Sequence, residues 1–201
     1  NVKIGSFCVI DDDVVIGDNT ILMNYVELRK GTIIGENCFI DSRVSSSGNC
    51  TIGNNVTIRY DSILARGLKV GDNSYISPRV MTNNLDTNKQ QIGGANIGKN
   101  VFIGHNVIIE EDCIIGDNTI ILHNTTILFD TVIGNKVSIG SNNTIGGIGF
   151  GYEKNANGDF ELIPHIGNVV IKDNVDIGNN TCIDRAVLGS TILEENVKVD
   201  N

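Results

Sequence analysis

Two histidines separated by eighteen residues carry the clearest chemical potential in this chain: His105, in Gly104-His105-Asn106-Val107, and His123, in Leu122-His123-Asn124-Thr125. An imidazole exchanges a proton near neutral pH, so it can act as the base that takes a proton from an attacking amine or hydroxyl. Each stands two residues after a large aliphatic, Ile103 or Ile121, and Ser141 holds the same place after Ile139. Asn106 and Asn124 follow the two histidines and could hydrogen-bond a polyhydroxylated ligand, although Asn at such a place also serves a turn. The third histidine, His165, lies next to Pro164 in an irregular stretch and reads as structural or as a cleft wall. A spacing of eighteen has meaning only if the backbone returns to the same place every eighteen residues.

The rest of the sequence supplies that return. Ile, Leu or Val recurs at every sixth position, as in Ile4, Ile10, Ile16, Leu22, Leu28, Ile34 and Ile40, and again from Ile97 through Ile103, Ile109 and Ile115 to Ile145. Four residues after each comes a small side chain, such as Cys8, Val14, Thr20, Val107 or Thr125. A period of six is neither helical nor simple alternation; it reads as a short strand plus a turn, three to a triangular coil. The fold expected is an all-β, hexapeptide-repeat parallel β-helix formed by one chain. Corners such as Gly-Asp-Asn and Gly-Glu-Asn suit turns that need positive φ. In such a solenoid His105, His123 and Ser141 form one column, with neighbours about 5 Å apart at strand spacing.

The 201 residues read as a single elongated domain, 1–201, and as a fragment of a longer protein. A formal charge of −9 with fifteen scattered Lys and Arg argues against nucleic-acid binding, which needs clustered cations. Cys8, Cys38, Cys50 and Cys113 occupy the small-residue slot without any CxxC pair, as expected of packing thiols in a reducing compartment. No eighteen-residue apolar run and no signal-peptide pattern occurs, which points to a cytoplasmic bacterial protein without a membrane span. Glu110, Glu111 and Asp112 read as a solvated acidic face, and no metal site is expected.

Two interruptions stand out. The first, about 77–94, is polar and includes Asn84 and Asp86, which could orient an imidazole or bind hydroxyls. The second, about 146–168, holds Gly149-Phe150-Gly151-Tyr152, whose glycines would let a ligand approach the backbone. Asn155 to Asp159 reads as a hairpin turn, with Phe160 and Leu162 on the returning strand.

The repeat resembles that of the hexapeptide acyltransferase superfamily, which implies a left-handed helix. Residues 97–201 resemble UDP-3-O-acylglucosamine N-acyltransferases more closely, through Gly149-Phe150-Gly151-Tyr152, Ile163-Pro164-His165-Ile166-Gly167 and Ile183-Asp184-Arg185. Residues 1–96 depart from that family, which begins with a small α/β domain, and are more similar to N-acetyltransferases of nucleotide-linked amino sugars. The resemblance implies a cytoplasmic homotrimer with active sites between subunits, acting in lipid A-type or surface-glycan synthesis. Acetyl-CoA or acyl carrier protein would be the acyl donor and the amino group of a nucleotide sugar the acceptor. The place of His123 and His105 in the hexad, the register at which the superfamily carries a catalytic His, makes one or the other the candidate base within this chain, with Asn84, Asp86, Asn106, Asn124, Ser141, Phe150, Tyr152 and Asp200 as candidate substrate contacts. In that family the catalytic His lies a few residues beyond the Asp-Asn matching Asp200 and Asn201. The competing readings are a non-catalytic structural or regulatory β-helix and a sugar O-acetyltransferase. A zinc carbonic anhydrase of this fold would need a His spacing that is not met.

Overall fold

A hexad with one long aliphatic and one small inward residue closes as a two-residue strand followed by a tight turn. The computed structural model describes residues 1–201 and consists almost wholly of such units. The strands stack into three parallel sheets of ten, nine and nine strands, forming the faces of a prism. Lys3–Ile4 begins the first face, Val9–Ile10 the second and Val15–Ile16 the third. Partners on one face are normally eighteen residues apart, as in Lys3 with Ile21 and Phe102 with Ile120. This is the parallel β-helix that the repeat implied.

The interior is a single file of aliphatic side chains, with 34 residues in one buried cluster. Ile103, Ile121 and Ile139 are fully buried on successive coils of the first face. Ile4 and Ile10 occupy the same repeat position yet are exposed, because the first coil is covered on one side only. The small-residue slot also caps backbone: the Thr20 hydroxyl donates to the Gly35 carbonyl at 2.8 Å, and the Thr125 hydroxyl to Gly140 at 2.9 Å. Thiols do the same, Cys38 toward Gly53 at 3.1 Å and Cys113 toward Leu128 at 3.2 Å. Burial pushes the Cys113 thiol up to about 12, so it packs as a neutral group. The fifth cysteine, Cys182, lies exposed on the second face.

Most turns place Asn or Asp at φ near +60°, as at Asn106, Asn124 and Asn142. Upstream in the first corner, between the first and second faces, that position holds Phe7, Tyr25, Arg43, Asp61 and Arg79, of which Asp61 alone keeps to the rule. These side chains offset a costly backbone by lateral pairing. Phe7 stacks on Tyr25 with centroids 5.1 Å apart, and Arg43 pairs with Asp61 at 2.6 Å.

Register locates the interruptions. Lys69 pairs with Asn96, an offset of 27, so nine extra residues enter between the strands Met81–Thr82 and Asn96–Ile97. The first excursion is therefore shorter than 77–94, because Met81–Thr82 still keeps the hexad pitch and the chain leaves only at Asn83. Val132 pairs with Val170, an offset of 38, which accommodates an arm ending in the antiparallel pair Tyr152–Lys154 and Phe160–Leu162. A third insertion, not visible as a break in the repeat, makes Val170 pair with Ile192 at an offset of 22. All three leave the prism after a second-face strand and return on the third face, so all emerge from the second corner.

Because each coil is stabilised chiefly by its neighbours, a cavity in one coil weakens two interfaces. Ile121→Ala is expected to lower unfolding stability by about 2–5 kcal/mol, measured by denaturant titration followed by circular dichroism.

Candidate functional site

The histidine column is real. His105 and His123 occupy the first corner on successive coils, with ring centroids 3.8 Å apart and planes 20° from parallel. Coil stacking is this close because residue 104 is glycine: a Cβ there would meet His123 Nδ1 at 2.7 Å and the His123 amide nitrogen at 2.8 Å. His105 is exposed and His123 half-buried. Burial, and then the charge of His105, hold His123 below the usual imidazole range.

The two rings are not equivalent. The His105 amide donates to His123 Nδ1 at 3.2 Å. The side chain of His105 faces a hollow of about 280 Å³ lined by Tyr60, Pro78, Arg79 and Asn106. Ser141, next in the column, donates its amide to Asn179 Oδ1 at 2.7 Å. Asn106, Asn124 and Asn142 form a ladder of side-chain amides, at 3.1 and 3.2 Å, down the adjacent positive-φ positions. Their functional groups are thus engaged with the turns. Asp200 accepts the amide of Asn201 at 2.9 Å through its side chain.

Asn84 and Asp86 do not lie beside this column. Their loop leaves from the second corner, where Asp86 lines a separate cleft of about 670 Å³. The cleft runs from the first excursion down to Gly146, Ile148 and Arg185, with Glu110, Glu111, Leu128, Phe129 and Asp130 between. Glu111 is not part of a solvated face. It is 7% exposed, and Asn83 Nδ2 donates to its Oε2 at 3.1 Å. Burial, helped by the charges of Glu110 and Asp112, pushes its carboxyl above the ordinary range. Arg185 is 2% exposed; its guanidinium lies 3.5 Å from the Phe129 ring centroid, and Nε donates to the Gly146 carbonyl at 2.8 Å. Burial lowers its pKa, opposed by Glu110 and Asp130. Sequence reading gave Arg185 only as part of a motif and Glu111 only as a solvated acid, and their burial escaped it: the third insertion positions Arg185, and the buried charge of Glu111 depends on Asn83 reaching across from the first excursion. No group of three or more His, Cys, Asp and Glu is arranged to hold a metal ion.

The glycines of Gly149-Phe150-Gly151-Tyr152 serve a different neighbour from the one expected. A Cβ on Gly149 would meet His165 Nε2 at 2.6 Å, so the space is filled by that ring, not left for a ligand. His165 Nδ1 is 2.7 Å from the Ile163 carbonyl, which fixes it as a brace at the base of the arm. Phe150 and Tyr152 meet edge to face at 5.0 Å, and Phe150 is 92% exposed.

The family description "bacterial transferase hexapeptide (six repeats)" matches residues 1–30, 31–66 and 94–129, just over half the chain. The chain belongs to the bacterial transferase hexapeptide family. The unmatched gap between the second and third stretches contains the first excursion. Beyond this family, the chain is similar to the UDP-3-O-acylglucosamine N-acyltransferase of Porphyromonas gingivalis, 58% identical over 57 residues, 28% of this chain and 16% of that protein. It is 54% identical over 59 residues, 29% of this chain, to the enzyme of the same name from Helicobacter pylori, covering 18% of it. The chain therefore aligns with under a fifth of the length of these curated relatives. Among solved structures, LpxA from Acinetobacter baumannii superposes with a TM-score of 0.63 at 21% identity, over 92% of this chain and 69% of that one. A UDP-N-acetylglucosamine acyltransferase from Campylobacter jejuni gives 0.57 at 17% identity, over 96% and 72%. Both likenesses show the same solenoid fold in this member of the hexapeptide family. No helix in it is long and apolar enough to cross a membrane.

Glu111 binds its proton more tightly when folded than when unfolded, so the native state loses stability as pH rises from the ordinary Glu range through the raised folded value. Glu111→Gln is expected to raise the melting temperature at pH 8, with the difference from the parent shrinking toward pH 4. Equal melting curves at both values would show that the carboxyl is not penalised by burial.

Proposed function

We propose that this chain is the β-helical part of an acyltransferase that moves an acyl group from acetyl-CoA or acyl carrier protein to the amino group of a nucleotide-linked amino sugar, in lipid A-type or surface-glycan synthesis. The stacked imidazole pair on the first corner is the observation that carries the reading, supported by the names of the relatives. The neutral amine attacks the thioester carbonyl, forming a C–N bond. An imidazole takes the amine proton as the intermediate collapses with cleavage of the C–S bond, and the thiolate leaves to be protonated. Burial, and then the charge of His105, hold His123 below the usual imidazole range, which favours the neutral ring a base needs.

A homotrimer completes the reading. The hollow at His105 is open and small, whereas a ligand site normally needs a deeper cleft. A neighbouring prism that docks its second corner there would bring the larger cleft, Asp86, Asn84 and the arm with Phe150 and Tyr152 toward the histidine column. The flanking faces suit such burial. Ile63, Met81 and Ile108 stack in register on the second face, 40%, 46% and 38% exposed. Tyr75 and Phe102 stack on the first face with centroids 5.6 Å apart. Arg79, held at φ +60° beside His105, offers a cation for a donor or nucleotide phosphate. Ser141, Asn106, Asn124 and Asp200 would contribute mainly by shaping the corner, and the location of such an enzyme would be cytoplasmic.

The test is thiol release from acetyl-CoA or acyl carrier protein with a panel of nucleotide-linked amino sugars, together with sedimentation velocity. Release dependent on one amino sugar, lost by about 10²–10⁴-fold in His105→Asn, is the expected result. Acetylation of the corresponding hydroxyl sugar would favour O-transfer, and failure to bind either donor or sugar would favour a structural β-helix.

A further inference from the structure

The cleft at the second corner holds a buried charge that no side chain of this chain neutralises by contact. Arg185 forms part of its wall and is 2% exposed, yet it belongs to none of the chain's ion pairs. Nε donates to the Gly146 carbonyl at 2.8 Å, Nη2 to the Phe129 carbonyl at 3.4 Å, and one face of the guanidinium lies on the Phe129 ring. Nη1 is buried and has no hydrogen-bond partner. It is the one buried side-chain nitrogen or oxygen so left; Thr20, Thr125 and Asn143, equally buried, are all bonded. A buried donor without an acceptor is costly, and more so when it carries charge.

The surrounding groups decide what can complete Arg185. Asp86, Glu110, Asp112 and Asp130 line the same cleft, and none of them is ion-paired either. Glu111 adds less charge, because burial holds its carboxyl toward the protonated form. With those carboxylates set against one guanidinium, the cleft repels a phosphate or a carboxylate. A cation suits the walls but brings Nη1 no acceptor. The fitting group is therefore uncharged and carries an acceptor. Leu85, Leu128, Phe129 and Ile148 add apolar surface, and the volume of about 670 Å³ holds more than one small group. An aliphatic arm bearing a secondary amide meets every demand: its carbonyl accepts from Nη1, its N–H donates to a wall carboxylate, and its methylenes lie on the apolar side chains.

Resting on the acyltransfer reading above, we infer that the second-corner cleft binds an uncharged, amide-bearing part of a substrate, with Arg185 Nη1 donating to its carbonyl and the wall carboxylates keeping anionic groups out. Two partners in such a reaction carry this chemistry: the pantetheine arm of the acyl donor and the acylamino group of a sugar. In either case the phosphates of that partner lie outside the cleft and only its neutral portion enters.

Titrations followed by ¹H–¹⁵N spectra of the Arg185 side chain and the Phe129 and Ile148 amides test this, with each neutral probe set against an anionic counterpart: pantetheine against pantothenate, and methyl N-acetylglucosaminide against N-acetylglucosamine 6-phosphate. Movement of the Arg185 signals with pantetheine would assign the donor arm, and movement with the glycoside would assign the sugar. The anionic counterpart is expected to bind about ten-fold more weakly or worse. Arg185→Met should weaken the neutral probe by about ten-fold. Asp112→Asn combined with Asp130→Asn removes two charges and keeps the turns, because both residues sit at positive φ, +53° and +58°, where Asn serves at other corners. That variant should bring the anionic probe close to its neutral counterpart, and it decides the matter even where Arg185→Met does not fold. Arg185 signals unmoved by both neutral probes, an anionic probe that binds the parent as tightly as its neutral counterpart, or a ratio unchanged in the double variant would each overturn the inference. Absence of acyl transfer to any acceptor would end the acyltransfer reading alone, since the titrations report directly on what the cleft binds.

Discussion

Everything in this molecule hangs on the coil-to-coil hydrogen bond. A two-residue strand has no stability alone, and a six-residue turn cannot bury its own aliphatic side chain. Each amide must find its carbonyl on the next coil, as Gly104 finds Ile121 at 2.7 Å and Leu122 finds Ile139 at 2.9 Å. That demand fixes the pitch and so determines which residues lie over one another. It also explains why side chains at the corners are recruited as acceptors: a turn amide pointing along the prism axis has no strand carbonyl beneath it. Asn and Asp meet the need at most corners, and a histidine meets it at one.

Chemistry and architecture therefore share the same atoms in the first corner. Stacking brings two imidazoles to 3.8 Å, a separation at which two positive charges are costly. The His105 amide then makes the pair asymmetric by occupying one ring nitrogen of His123. Asn106 and Asn124, plausible ligand contacts by residue type, are instead held by each other and by their positive φ.

The second corner has the opposite character. All three insertions leave there, so it gathers irregular backbone, a cleft of about 670 Å³, a buried carboxyl at Glu111 and a buried guanidinium at Arg185. Concentrating the arms along one edge leaves the faces regular, which lets the stack continue past every excursion. It also separates the arms from the histidine column within one subunit. In the trimer proposed above, a site built from both would use two different chains.

Periodicity alone determined the solenoid, its three-sided coil, the inward aliphatic file and the alignment of His105 with His123, because a repeat of six leaves the backbone one way to pair its strands. The hairpin from Tyr152 to Leu162 was equally legible, its turn residues being local. Tertiary structure decided what depends on neighbours across coils. It placed Asn84 and Asp86 at the other corner, since a loop's exit is set by which face its last strand joins. It filled the space above Gly149 with His165, and buried Glu111 beneath Asn83. The third insertion escaped notice because its four extra residues keep a plausible strand pattern on both sides, and only the pairing of Val170 with Ile192 exposes the offset. The contact at His123 Nδ1 belongs to the same class: nothing in a linear sequence says which ring nitrogen faces the amide of the preceding coil.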